Sequence, residues 1–249
     1  MESKQHLAIN RYEMLPRVAI KSDFIDFYDH AFSPRHSADF VWERNSRNDM
    51  SKREQFEFLD QLGFKTPEHG TVAEVHKKLR FRFPGFDDSM FELFANTVEV
   101  VIYLDEYAHR GEGKTLTTLA DGFREHPHLY CSRYIRGDFP FPDAPYATSY
   151  RRLQVGSRSY FLKYTGYGSW MSNHAPEVEV EVLIELGEDS DGSLTSRVPY
   201  PVFAIDFVRQ GSWLYAIDFN TAPGMSGLDL GLKPEDIYHL VAKWYVGRK

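Results

Sequence analysis

Two apolar runs, residues 201–208 and 213–219, flank a short polar connection, Arg209-Gln210-Gly211-Ser212. β-Branched and aromatic residues on either side of a Gly-Ser pair predict an antiparallel hairpin. Asp206 and Asp218 are equidistant from Ser212, so a turn centred there sets the two carboxylates opposite each other on one face. Like charges placed opposite across strands destabilise the pair. A divalent cation between them turns that repulsion into a ligand set. Asn220, two residues on, projects from the same face and adds an uncharged oxygen. Three oxygen donors suit a hard cation such as Mg²⁺ or Mn²⁺, which commonly also binds phosphates. The competing reading is an ordinary hairpin with two acids on its solvent face.

An acid, a second acid twelve positions on, one residue, Asn and then Pro223-Gly224 resembles the closing motif of the ATP-grasp superfamily. The ribosomal-protein glutamate ligases and the D-alanine–D-alanine ligases belong to it. By that resemblance Asp206 and Asp218 are the metal-binding acids and Asn220 the amide ligand. The second acid is usually Glu in that superfamily, and here it is the shorter Asp218. The stretch from Asn220 to Leu228, together with the compact length, also looks like a divergent, often phage-associated ATP-grasp group.

A chain of 249 residues can bury a substantial core in one domain or two packed lobes. Its formal charge of −7 argues against a surface built to hold nucleic acid. The single cysteine, Cys131, excludes an intramolecular disulfide and a cysteine-rich metal site. No apolar run is long enough to cross a bilayer, and the polar start, Met1 to His6, lacks the apolar core of a signal peptide. These features lead to the expectation of a cytoplasmic protein with no membrane partner.

Along the chain, Val18-Ala19-Ile20 reads as a short strand and residues 24–28 as a helix. Ser51-Lys52-Arg53-Glu54 and Thr71-Val72-Ala73-Glu74 are capping boxes that open two helices, with Gly63 at the end of the first. Residues 98–104 are apolar and β-branched and read as a strand, in competition with a helix over 89–107. The segment from Ala108 to Thr115 is rich in glycine and basic residues and leads into an expected helix over 116–125. Its backbone N–H groups, with Lys114, could hold a phosphate. Gly-Glu-Gly-Lys-Thr lacks the first glycine that a P-loop requires. A second hairpin, residues 150–163, turns at Gly156-Ser157. Residues 177–186 form a half-exposed strand, residues 189–193 a polar turn, and Pro234 opens an amphipathic helix carrying Ile237, Leu240, Val241 and Trp244.

The resemblance supplies further expectations. It implies an α+β fold with two antiparallel-sheet lobes and helices enclosing a nucleotide cleft: an N-terminal lobe over 1–95, then a nucleotide- and metal-binding region over 96–249. Gly111, Gly113 and Lys114 would cover the phosphates, and Arg133, Tyr134 and Ile135 would hold adenine. Arg151 and Lys163 would neutralise charge on the transferred phosphoryl group. Tyr103 stands where the superfamily usually has a phosphate-binding lysine. The implied activity is an ATP- and Mg²⁺-dependent carboxylate–amine ligase, with a small-molecule or peptide acid and an amine as partners. The alternative is a nucleotide-binding or regulatory module without turnover.

Overall fold

The computed structural model describes residues 17–20, 41–44, 50–107, 113–137, 146–173, 175–188, 192–221, 223 and 234–246. Its strands are β1 (Arg17–Ile20), β2 (Val41–Arg44), β3 (His69–Thr71), β4 (Glu99–Tyr103), β5 (Lys114–Thr118), β6 (Tyr130–Arg133), β7 (Tyr146–Val155), β8 (Arg158–Tyr167), β9 (Glu177–Glu188), β10 (Val202–Gln210) and β11 (Trp213–Asn220). Its helices are α1 (Lys52–Gln61), α2 (Val72–Arg82), α3 (Asp88–Ala95), α4 (Leu119–Glu125), α5 (Gly192–Arg197) and α6 (Pro234–Val246).

Both expected capping boxes form. Ser51 and Thr71 each accept from the backbone N–H of the glutamate three residues on, and that glutamate returns a bond to the cap backbone. Gly63, at φ 84°, takes the chain out of α1 through the left-handed region. The contest over 89–107 resolves into both elements: Asp87 caps the short helix α3, and the β-branched run after it becomes β4. The helix expected over 116–125 is shorter. Its first three residues, Leu116 to Thr118, belong instead to β5, paired to β4, because three threonines suit a strand and Thr118 then caps α4. Of the polar turn expected over 189–193, Gly192 and Ser193 open α5, and residues 189–191 lie outside the described residues. Val18 to Ile20 lies in β1, parallel to β2, whereas the helix expected over 24–28 falls outside the described residues.

A four-stranded antiparallel sheet has the order β3-β6-β4-β5, and a five-stranded one the order β11-β10-β7-β8-β9. This is the expected α+β arrangement of two antiparallel sheets with helices. β3 precedes residue 95 and pairs with β6 beyond it, so the small sheet draws on both sides of the anticipated lobe boundary. One face of the small sheet (Val100, Ile102, Cys131) packs on α2, α3 and α4. Its other face (Val101, Tyr103, Tyr130) shares a core with Phe56 and Leu59 of α1 and with Phe203, Ile205, Phe207 and Phe219 of the large sheet. α1 is thus wedged between the sheets by aromatic burial, each such side chain contributing about 1.5–3 kcal/mol.

The hairpin of β7 and β8 turns at Gly156, whose φ of 56° is left-handed. A methyl group there would lie 2.2 Å from the carbonyl oxygen of Leu240 in α6, so glycine permits both the turn and the approach of that helix. Gly211, at the tip of the β10–β11 hairpin, has a similar φ of 60° but nothing within 4 Å. In urea denaturation, Gly156→Ala is expected to lose about 2–4 kcal/mol from strain and overpacking together. Gly211→Ala should lose about 1–2 kcal/mol from strain alone. Equal losses would mean that the close contact with α6 contributes nothing.

Candidate functional site

The β10–β11 hairpin closes with a two-residue turn that pairs Gln210 with Trp213. An unbroken ladder from that turn would set Asp206 opposite Ile217 and throw Asp218 to the other face. The register shifts after Phe207↔Ala216, leaving Ile217 as the extra residue of a bulge, and Asp206 then pairs with Asp218. Asn220 pairs with Ala204, two positions along, on the same face as the two acids. The bulge therefore assembles the row that the sequence spacing announced.

The row continues across the sheet. Arg151 of β7 is the partner of Asp206 on its other side. Its Nε donates to Asp206 Oδ1 at 2.6 Å and its Nη2 to Oδ2 at 2.8 Å, a forked pair with both side chains buried. The guanidinium also lies 5.0 Å from the centroid of the Tyr164 ring. Burial works against the charge of Arg151, and Asp206 outweighs it, raising the pKa above its usual value.

Asp218 has its own cation. Lys52, in the first turn of α1 and almost fully buried, donates from Nζ to Asp218 Oδ1, to Gln55 Oε1 at 3.1 Å and to the Ile217 carbonyl at 3.4 Å. Gln55 is fixed in turn by the Met50 carbonyl and the Phe219 N–H. The Lys52 backbone N–H bonds the Glu106 carbonyl at 2.8 Å, tying α1 to the segment after β4. Burial pushes the Asp218 carboxyl up, but Lys52 and then Lys114 overcome this and hold it at about 2. Burial likewise opposes the Lys52 charge, and Asp218 reverses the effect, so its pKa is raised. The repulsion expected between the two acids is thus relieved within the chain, by one cation each. An ordinary solvent-facing hairpin would need neither cation.

Tyr103 is buried, its hydroxyl 3.1 Å from that of Ser132. It pairs with Lys114 across β4 and β5. Lys52 Nζ stands 5.5 Å from the centroid of its ring and Lys114 Nζ 5.7 Å. Two lysines therefore flank the place where the resemblance left one missing. Lys114 forms no ion pair among the described residues, and burial, followed by Lys52, pushes its pKa down to about 8. Among the described residues three cations and two carboxylates meet here, with one positive charge in excess.

Other anticipated residues are placed differently. Lys163 pairs with Tyr150, one position from the row of Arg151, so it projects from the opposite face and lies 3.8 Å from Glu181. The structure does not bring Arg151 and Lys163 together, because the two positions differ in parity. The Arg133 side chain is engaged by Glu68, and the backbone N–H groups of Arg133 and Tyr134 are bonded to Glu68 and Glu99. Ile135 is buried next to them. Gly113, at φ 61°, closes the β4–β5 connection through its carbonyl and the Leu104 N–H. Gly111 lies outside the described residues.

Asp206, Asp218 and Asn220 fit a hard divalent cation by donor chemistry, since all three offer oxygen. Arg151 and Lys52 each leave lone pairs on the carboxylates they hold. Among the described residues no group of three His, Cys, Asp or Glu side chains forms an alternative centre, and no helix is long and apolar enough to cross a membrane.

No family model matches the chain, and no curated protein matches it in sequence. Solved structures with a similar fold include ligases and ATP-grasp proteins. D-alanine–D-alanine ligase from Bacillus anthracis is 13% identical over 80% of this chain and 67% of its own, with a TM-score of 0.45. The ATP-grasp ligase PsnB, complexed with a minimal precursor, Mg and ADP, is 12% identical over 85% of this chain and 61% of its own, at 0.48. A RimK domain ATP-grasp protein from Sphaerobacter thermophilus is 12% identical over 93% of this chain and 100% of its own, at 0.46. The chain thus spans about two thirds of the first of these ligases and less of the second.

The cluster predicts opposite stability effects for two of its members. Asp218→Asn leaves the buried Lys52 ammonium without its acid and is expected to cost about 2 kcal/mol at pH 7. The Asp218 contribution is present above pH 4 and lost as the pH falls towards 2, because its folded pKa is depressed. Lys114→Met removes a desolvated charge and should stabilise the protein by about 2 kcal/mol below pH 8. Unfolded chains bind more protons at this lysine between pH 8 and 10.5, so the advantage should shrink across that range. Chemical denaturation across pH checks both; a destabilising Lys114→Met at pH 7 would contradict the account.

Proposed function

We propose that the chain is an ATP-dependent carboxylate–amine ligase acting through an acyl phosphate with Mg²⁺ or Mn²⁺. The observation that carries this reading is Lys114, half-buried beside the Asp206–Asp218 row and in no ion pair among the described residues. A desolvated ammonium that no described carboxylate holds is suited to meet an anion from outside the chain. A triphosphate supplies that anion. The comparison structures include ligases complexed with ATP and with Mg and ADP.

In this reading Asp206, Asp218 and Asn220 hold the divalent cation, which when bound offsets phosphate charge and orients the terminal phosphates. Lys114 and Lys52 supply positive charge for the polyphosphate. Arg151 stands on the same row and neutralises charge on the phosphoryl group as it passes to a substrate carboxylate. One carboxylate oxygen forms the new bond to γ-phosphorus while the bond to the bridging oxygen of ADP breaks. An amine then displaces phosphate from the acyl carbon and loses a proton. Tyr134, Arg133 and Ile135 stand at the end of β6 as candidates for the adenine side, and Gly111 and Gly113 belong to the segment expected over the phosphates. The acid is a small molecule or a peptide, in keeping with the precursor-bound ligase PsnB and macrocyclase MdnC among the comparison structures, and the setting is the cytoplasm.

The internal pairing of both acids favours a second reading, a nucleotide-binding or regulatory module without turnover. A site already neutralised by Arg151 and Lys52 binds without needing to react. ADP release measured across a panel of acids and amines separates the two. A ligase requires Mg²⁺ and an acid together, and Arg151→Ala should lower its rate by about a hundred- to a thousandfold. Lys163→Ala, on the far face, should stay within about twofold, a limit set by the small effect of surface charges. Tight ATP binding with no ADP from any pair would establish the module.

A further inference from the structure

Lys52 differs from Arg151 in how it is anchored. Arg151 stands inside the large sheet and grips both oxygens of Asp206. Lys52 reaches its acid from a different element, the first turn of α1, and touches only Oδ1. Asp218 Oδ2 takes no hydrogen bond from a described residue. The Lys52 ammonium also has two neutral acceptors in place, Gln55 Oε1 and the Ile217 carbonyl that lies at the bulge. Three donors on an ammonium match these three acceptors. Losing the carboxylate would leave the other two, so α1 need not move.

We propose that Lys52 is a built-in counter-ion which a divalent cation displaces from Asp218, making the ion pair and the metal mutually exclusive. This rests on the reading of Asp206, Asp218 and Asn220 as the metal site. Without metal, the pair relieves the repulsion between the two acids and keeps the row intact. When the cation arrives, the ammonium falls back on Gln55 and Ile217 with its charge unspent. The excess positive charge of the cluster, counted over the described residues, rises from one to three, so strong attraction for a polyphosphate develops only after the metal has bound. Lys52 thereby sets the order of loading as well as the metal affinity.

The test is Mn²⁺ binding without nucleotide, followed by electron paramagnetic resonance at fixed ionic strength. Lys52→Gln removes the competitor and keeps a polar side chain, and should tighten Mn²⁺ binding at least fivefold. Lys52→Arg, a forked cation that holds a carboxylate more firmly, should weaken it at least threefold. Asp218→Asn should weaken it more than tenfold whichever residue stands at 52. A lysine that merely props α1 would give weaker or unchanged binding in Lys52→Gln. That result overturns the proposal, and if Asp218→Asn still weakens Mn²⁺ binding, the metal reading stands without it. Unchanged binding in Asp218→Asn overturns both. Where Lys52→Gln fails to fold because Asp218 is left unpaired, Lys52→Arg decides, since unchanged or tighter binding in that variant contradicts displacement.

Discussion

Two carboxylates set abreast on neighbouring strands repel each other, and the surrounding architecture answers that constraint. The bulge at Ile217 creates the pairing of Asp206 with Asp218. β7 offers Arg151 to one acid from within the sheet, and α1 offers Lys52 to the other from outside it. α1 can do so because Phe56 and Leu59 seat it in the core shared by the two sheets. Its capping box fixes where the first turn begins, and therefore where Lys52 points. Removing one acid or one cation leaves a partner buried and uncompensated, which ties local stability to the chemistry of the site.

The same arrangement gives Tyr103 a role in the packing. A tyrosine there fills the core, bonds Ser132 and offers its ring to two ammonium groups arriving from α1 and β5. Positive charge therefore stands beside this ring from two elements, Lys52 of α1 and Lys114 of β5. Lys114 keeps that charge at the expense of desolvation, which is why its pKa falls to about 8. Stability is given up at a place suited to an external anion.

The acids, the asparagine and the glycine turns were legible because period-two geometry and turn chemistry are local. The bulge was not, since nothing in Tyr215-Ala216-Ile217 distinguishes an extra residue from a regular one. Centring the turn on Ser212 reached the right pairing by the wrong local geometry. Lys52 was legible only as part of a cap, because its role depends on a contact 166 residues away along the chain. Lys163 was misjudged in parity: the spacing from Arg151 across Gly156-Ser157 places the two on opposite faces. The first turn of the helix expected after the glycine-rich segment became β5 because its threonines were needed to pair with β4. In each case a tertiary partner, absent from local pattern, decided the outcome.

The central claim is that the Asp206–Asp218 row is a metal site serving a nucleotide. Anomalous scattering from Mn²⁺ in crystals grown with a non-hydrolysable ATP analogue addresses it directly. The account predicts a peak bound by the carboxylates of Asp206 and Asp218, next to the analogue's phosphates and on the same side as Lys114. A well-ordered analogue with no peak at these carboxylates, or with its phosphates held elsewhere, would contradict it.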